Sequence, residues 1–383
     1  MIPTAEHHDN FALWNSTVTP FNAARMGPKR DLIGDLAVAV RKQGLKFGVS
    51  NHGMENFTFV NPSGQLDAQL QAEKADLYDP QWAAFYNVAD RSDAAMTRFL
   101  TDWVNRNLEL IDKYQPDILW FDNGVNLRVL DPLKEHVAAY YYNRSKTWGK
   151  EVSLSTKYNA YAPSNDDTKQ VGSILDFEKI VGRSPAGIRA DQPWMVDQPI
   201  GSTWGYSTGM SVSSAGSVIG WLIDTVSKGG TLLLNLSPMA DGTLPQAQQD
   251  TLRGVGKWLD VNGEAIYGTR PWTKYVEGGT GRGATNFHFT TKGATLYAIA
   301  NTWPGAQAVI TSLGTKDEAA GKVTKVELLG SDAKLEFTQD ENGLKVRLPA
   351  EHPAGPAYAL KISGLKLGSA GAAATATTTA STK

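Results

Sequence analysis

Between Met96 and Gly124 the chain passes through a helix, a break, a buried strand and an acid in quick succession. Met96–Tyr114 keeps helical spacing, with apolar residues at Leu100, Val104, Leu108 and Ile111. Gln115-Pro116-Asp117 ends the helix, because proline removes a donor and restricts the residue before it. Ile118-Leu119-Trp120-Phe121 is then a short apolar run of the kind buried on both faces of a parallel sheet. It stops at a carboxylate, Asp122, followed by Asn123 and Gly124. In an α/β barrel the reacting groups sit at the C-terminal ends of such strands. Asp122 therefore reads as a candidate catalytic acid, the alternative being a helix cap or turn former.

The same unit recurs along the chain. A helical pattern over Leu32–Gln43, closed by Gly44, leads into the strand Leu45–Ser50 and then Asn51-His52-Gly53. A helix at about Leu133–Trp148 precedes the strand Glu151–Ser155, which opens into Thr156-Lys157-Tyr158. Ser173–Glu178 is a further short strand ending in acids. Helix Ser213–Ser227 leads to a strand through Thr231–Asn235, and Gln246–Asn262 is a closing helix. Thr58–Asp93 shows little periodicity and reads as an excursion over the barrel mouth, with Tyr78, Trp82, Phe85 and Tyr86 as anchors or subsite walls. Lys179–Tyr206 reads as a long irregular loop. After Arg270-Pro271-Trp272 the texture changes to short alternating runs between turns, the pattern of a small antiparallel sandwich. From Gly368 onward the sequence is almost entirely Ala, Thr, Ser and Gly, which buries too little surface to order itself.

Alternation of helix and strand implies a parallel sheet with helices outside. The expected fold is α/β: an irregular (β/α)8-like, TIM-type barrel followed by a C-terminal antiparallel β-sandwich. The expected domains are 1–272 for the catalytic barrel, 273–366 for the sandwich and 367–383 for a disordered tail. Five or six barrel strands are recognisable where eight are needed. Together with two histidines, His7 and His8, almost at the start, this predicts an N-terminally incomplete barrel whose first strands precede residue 1.

Bulk properties exclude several classes. Lys and Arg number 37 against 39 Asp and Glu, a balance that argues against a partner held by bulk charge, whether nucleic acid or membrane surface. With no cysteine, disulfides and thiolate metal sites are ruled out. No apolar run reaches the length of a membrane span, and no secretory signal pattern opens the sequence.

Asp122 and Glu178 both end buried strands, so both could face one pocket. Two carboxyl groups about 5–5.5 Å apart suit retaining glycoside hydrolysis, one as nucleophile and one as acid/base. The acid/base needs a raised pKa, which a loop carrying Trp194 and Trp204 could supply by desolvation. Asp176 and Asp197 are rivals. Asp176 lies two residues from Glu178 and shares its strand face, so alternation cannot choose between them. His7, His8 and His52 could be metal ligands, but no motif such as H-E-x-x-H accompanies them. Hydrogen bonding to sugar hydroxyls is the favoured reading. Gly201–Tyr206 and Lys228-Gly229-Gly230 do not follow a phosphate-cradle pattern. Asn262–Tyr267 reads as a helix cap and hinge.

At this point several stretches, taken together, resemble the α-L-fucosidases of glycoside hydrolase family 29. They are Glu6-His7-His8-Asp9-Asn10-Phe11-Ala12-Leu13-Trp14, Phe47-Gly48-Val49-Ser50-Asn51-His52, and Pro116–Asp122. Ser202–Tyr206, Gly229–Pro238 and Trp258–Pro271 add to them. The resemblance spans most of residues 4–363. It implies a barrel followed by a β-sandwich, a retaining mechanism without a cofactor, and a fucosylated glycan as substrate. By resemblance Asp122 is the nucleophile, Trp120 lines the fucose site, and His7 and His8 hold fucose hydroxyls. His52, Lys157 and Trp204 are added as sugar contacts. Many relatives carry Trp-Glu ahead of the Trp-Gly-Tyr motif, where this chain has Trp194-Met195. Others place a glutamate in an Asp-Phe-Glu setting, which Asp176-Phe177-Glu178 matches, so Glu178 is the expected acid/base. Two further readings are a fucose-binding, lectin-like remnant and a metal-dependent hydrolase using His7, His8 and Asp122. The family resemblance also implies a secreted or periplasmic setting.

Overall fold

A computed structural model describes residues 1–162, 170–180, 184–279, 284–316 and 321–367. The expected disordered tail lies, apart from Leu367, outside the described residues. The chain divides into two compact units, Met1–Asp176 and Phe177–Lys383.

The first unit is a parallel βα array. β1 (Thr4–Glu6) pairs with β2 (Gly48–Asn51), β2 with β3 (Ile118–Phe121), β3 with β4 (Ser153–Lys157), and β4 with the first residues of β5 (Ile174–Glu178). The helices are α1 (Leu32–Lys42), α2 (Asn56–Phe59), α3 (Gly64–Ala72), α4 (Ala83–Tyr86), α5 (Asp93–Tyr114) and α6 (Asp131–Trp148). α5 begins at Ser92, whose hydroxyl accepts from the Ala95 amide. It ends at Gln115 in the left-handed conformation, immediately before Pro116. One hydrophobic core joins Ile33 and Val40 of α1, Trp103 and Leu110 of α5, and Val137 and Tyr141 of α6 to Val49, Leu119, Phe121 and Leu154 of the strands.

That core decides which way β3 points. Leu119 and Phe121 face the helices, so Trp120 between them, and Asp122 after them, turn to the opposite face. The strands also approach closely at Gly48, which lies opposite Ile118 in register. A Cβ at Gly48 would stand 2.2 Å from Ile118 Cγ2 and 2.8 Å from its carbonyl oxygen.

The opening residues are not frayed. Besides the β1–β2 pairing, Glu109 of α5 accepts from Trp14 Nε1 at 2.7 Å, Ser16 Oγ at 2.8 Å and the Thr17 amide at 2.8 Å.

In the second unit β6 (Trp194–Pro199) and β7 (Thr231–Asn235) run parallel, with α7 (Ala215–Ser227) and α8 (Gln246–Asn262). Then come β8 (Arg270–Gly278), β9 (Asn286–Lys292), β10 (Thr295–Ala300), β11 (Gln307–Ile310), β12 (Gly321–Leu328), β13 (Phe337–Asp340), β14 (Gly343–Arg347) and β15 (Tyr358–Leu365). They form an antiparallel sheet in the order β12-β15-β10-β9-β8 and a second in the order β11-β14-β13. Phe289, Leu296 and Ile362 of the first meet Ile310, Leu344 and Val346 of the second in a shared core. Ile219 and Ile223 of α7 and Trp258 of α8 pack on Tyr297, Ile299 and Ala359, the other face of the larger sheet. The expected fold class holds: barrel-type βα units, then an antiparallel β-sandwich.

Four expectations are corrected. The parallel strands number seven among the described residues, because β1 and β6 escape a pattern search. β1 is three residues long. β6 lies inside the supposed irregular loop, flanked by Pro193 and ending at Pro199; it is buried nearly throughout, so no alternation marks it. Thr58–Asp93 is not structureless but carries short helices, whose few turns give periodicity no room to show. The sandwich has three strands beyond the five recognised, β8, β11 and β13. Strand bounds also move: β2 begins at Gly48 rather than Leu45, and β4 runs on through Lys157.

Candidate active site

The first unit gathers its polar groups where the parallel strands end. β1 delivers His7 and His8, β2 delivers His52, β3 delivers Asp122, and Lys157 and Asp176 sit in β4 and β5. The three histidines form a stack. His7 lies on His52 with ring centres 4.4 Å apart, and His8 meets His7 edge-on at 4.0 Å. His8 also stacks on Phe59, and His52 leans against Trp120 at 5.1 Å.

Asp122 borders this stack. His52 Nδ1 approaches Asp122 Oδ2 to 2.8 Å, close enough for an ion pair but outside the alignment of a linear hydrogen bond. Burial opposes ionisation of Asp122. The adjoining His52 ring, the Lys157 ammonium and the Asn123 amide outweigh that and hold the carboxyl below its usual range. A carboxylate kept charged at neutral pH is what a nucleophile requires.

Asp176 has a different task. It is fully buried, accepts from Trp120 Nε1 at 2.5 Å, and lies 3.6 Å from Lys157 Nζ. Lys157 in turn sits over the Trp120 ring at 5.6 Å. Asp176 thus fixes the plane of Trp120 and balances a buried lysine.

Behind the histidines lies a second polar layer that sequence reasoning missed. Arg106, on the buried face of α5, donates through Nη1 to both Glu6 Oε1 and Asn10 Oδ1. Those two residues bracket the His7-His8 turn, which the Asn10 amide closes onto the His7 carbonyl at 3.1 Å. Asn10 takes the left-handed conformation, φ 67°, and its Nδ2 donates to the Phe85 carbonyl at 2.9 Å. Asn51 Nδ2 reaches Glu6 Oε2 at 3.3 Å, carrying the layer to the residue before His52. Burial pushes the Glu6 carboxyl up despite the pull of Arg106. An arginine among apolar helix positions was the available signal, but its partners lie about a hundred residues upstream.

His7 is the most perturbed of the histidines. Loss of solvation on its stacked face, then repulsion from His52 and His8, lowers its pKa to about 4, against the opposing pull of Asp122. Water on its open side screens part of this. The ring should therefore be neutral at pH 5.5, where an ordinary histidine is mostly protonated. Imidazole shifts in a pH titration by NMR, assigned through His7→Gln, check this. A midpoint near 6.5 would mean that the stack does not act as described.

In the second unit Glu178 ends β5 with its side chain partly exposed, while Asp197 and Met195 are buried in β6. Trp204 is exposed, with Lys179 Nζ 5.6 Å from its ring centre. The ligand-type atoms that cluster among the described residues belong to His52, Glu55 and Asp122, not to His7 and His8. Glu55 went unnoticed because its relation to His52 depends on a 3-10 turn, Gly53–Glu55.

Comparison with known proteins puts these features in context. Residues 1–264 match the family model described as Alpha-L-fucosidase, and residues 283–363 match the Alpha-L-fucosidase C-terminal domain. The tissue alpha-L-fucosidase of Rattus norvegicus is 29% identical over 381 residues, covering 95% of this chain and 72% of the relative. The Thermotoga maritima alpha-fucosidase, solved in complex with fucose, superposes with a TM-score of 0.70 at 28% identity, covering 94% of this chain and 74% of that one. Isoenzyme 1 from Paenibacillus thiaminolyticus shares the fold, with a TM-score of 0.71 at 23% identity over 95% of this chain and 82% of that one. With the family model spanning most of the chain, and full-length relatives agreeing with it, this protein belongs to the α-L-fucosidases of glycoside hydrolase family 29.

Proposed function

We propose that the chain hydrolyses terminal α-L-fucosyl residues of glycans with retention, through a double displacement. In the first step an Asp122 oxygen attacks the anomeric carbon while Glu178 gives its proton to the glycosidic oxygen. The aglycone leaves as an alcohol and a fucosyl ester remains on Asp122. In the second step Glu178 takes a proton from water, whose oxygen attacks the same carbon and returns Asp122 to its carboxylate form. The observation that carries this reading is Asp122 itself: a half-buried acid held ionised by His52 and Lys157 at a strand end lined by rings. His7, His8 and His52 are proposed to hold hydroxyls. Trp120 is proposed to lie against the apolar C5-methyl side, and Lys157 and Trp204 to contact the sugar. Glu178 is preferred over Asp176 because the latter is committed to Trp120 and Lys157. The catalytic portion is proposed to be 1–272 and the sandwich 273–366.

The substrate class is supported by the Thermotoga maritima relative, solved with fucose and with a mechanism based inhibitor. A secreted or periplasmic setting is proposed in line with relatives such as the plasma alpha-L-fucosidase of Homo sapiens, 28% identical. No helix among the described residues is long and apolar enough to cross a membrane.

The test is Glu178→Ala assayed on fucosides with good and poor leaving groups. Loss should be small for an activated aryl fucoside and about 10²–10⁴-fold for a sugar aglycone, the usual worth of general acid catalysis. Added azide should accelerate the aryl reaction and give α-fucosyl azide. If Asp176→Asn or Asp197→Asn shows that behaviour and Glu178→Ala does not, the acid/base assignment moves. A wild type that binds fucose but releases nothing would return the lectin-like reading.

A further inference from the structure

His52 and Glu55 are three apart across a 3-10 turn, Gly53–Glu55, for which His52 is the N-terminal cap. Side chains at i and i+3 eclipse in such a turn, so both project to one side. Asp122 comes from the neighbouring strand to meet them. One ligand-type atom from each of the three lies within 4.8 Å of the others. The His52 ring is oriented from behind, with Ser50 Oγ 3.2 Å from Nε2 and that hydroxyl passed on to Thr4 Oγ1 at 3.3 Å. With Nε2 directed at Ser50, Nδ1 is the ring atom that faces Asp122. Nδ1 is buried and makes no linear hydrogen bond. Nδ1 and Asp122 Oδ2 stand 2.8 Å apart, a separation that either a proton on Nδ1 or a bound cation can bridge.

We propose that His52, Glu55 and Asp122 form a binding site for a divalent transition-metal cation, Zn2+ fitting best, and that the bound cation inhibits the enzyme. One imidazole and two carboxylates make a three-ligand set with open positions, built from donor types that bind zinc. The hydrogen bond from the distal ring nitrogen is the outer-shell partner that metal-binding histidines use. Donors about 2.0–2.2 Å from Zn2+ stand roughly 3.3 Å apart when tetrahedral. His52 Nδ1 and Asp122 Oδ2, 2.8 Å apart, must separate by a few tenths of an ångström to about that spacing, and Glu55, within 4.8 Å, must close in. Ca2+ and Mg2+ fit poorly, since they require more oxygen ligands and no nitrogen. The metal site stands on the geometry of the three side chains; the inhibition rests on the proposed role of Asp122 as nucleophile, which the cation would occupy.

Two measurements on the full chain test this separately. In the first, Co2+ is added as a spectroscopic probe and the visible absorption of a low-symmetry cobalt complex is titrated. One site per chain is expected, weakened at least about tenfold in Glu55→Gln and in Asp122→Asn. Unchanged binding in both variants overturns the site, whether or not the protein is active. In the second, Zn2+ inhibition of aryl fucoside hydrolysis is measured. Inhibition should be competitive with substrate and reversed by EDTA. Glu55→Gln should keep kcat/KM within about threefold of wild type and need at least tenfold more Zn2+ for half inhibition. Equal inhibition of wild type and Glu55→Gln, or equal potency of Ca2+, overturns the inhibitory role. Cobalt binding to a protein without fucosidase activity would leave the site standing and remove the catalytic reading instead.

Discussion

Replacing Asp122 with glycine is expected to lower kcat on an aryl α-L-fucoside by about 10⁴-fold or more, the scale seen when a catalytic nucleophile is deleted. That corresponds to about 5 kcal/mol or more of lost transition-state stabilisation. The effect should fall on kcat with KM little changed, because the residues proposed to hold the sugar, the histidine stack, Trp120 and Lys157, remain. Glycine opens the space the carboxylate filled, so azide can enter it and attack the anomeric carbon once. A single displacement inverts, and the product should be β-fucosyl azide. Rate recovery with azide, and the configuration of the product by proton NMR, are the readouts. A variant that keeps more than about 1% of wild-type kcat without azide would remove Asp122 from the nucleophile's role.

Arg106→Met is expected to be the most damaging change away from the reacting carbon. Methionine keeps much of the side-chain length but leaves Glu6 buried without its cation. Breaking a buried ion pair from one side costs about 3–5 kcal/mol, which for a chain of this size lowers Tm by on the order of 10 °C. The pH dependence carries the sign. Burial already places the folded-state pKa of Glu6 above its unfolded value, and losing Arg106 raises it further. A carboxyl so shifted binds its proton more readily when folded, so its contribution is favourable below the unfolded pKa and is lost as pH rises through the folded one. The Tm gap between wild type and Arg106→Met should therefore be widest near neutral pH and narrow as pH falls toward the ordinary carboxylate range. Scanning calorimetry across that range checks it, and a gap independent of pH would mean that Arg106 acts through packing alone. Glu6→Gln should be milder, since a neutral amide still accepts from Arg106. Because Arg106 ties together Glu6 and Asn10, which bracket the His7-His8 turn, KM for the fucoside should rise in any variant that still folds.

What could be read from the sequence follows from how local each signal is. α1, α5, α7 and α8 announce themselves by apolar spacing, and β3 by an apolar run between a proline break and an acid. Asp122 and Trp120 were accessible from β3 alone, since strand parity puts them on one face once Leu119 and Phe121 are given to the helices. β6 was hidden because a strand buried on nearly all sides shows no alternation, and prolines beside it read as loop. Asp176 and Glu178 share a parity, so only the partners of Asp176 separate them. The Arg106 layer and the approach of Glu55 to Asp122 are non-local or turn-dependent. No window along the chain contains them.

Gly48 does nothing chemical, yet any side chain at position 48 would force the strand leading to His52 and the strand leading to Asp122 to shift apart. What the fold requires there is the lack of a side chain. A catalogue of important positions built only from lost activity would rank this hydrogen atom beside Asp122. Abundance of folded protein, measured alongside turnover, is what tells the two kinds of necessity apart.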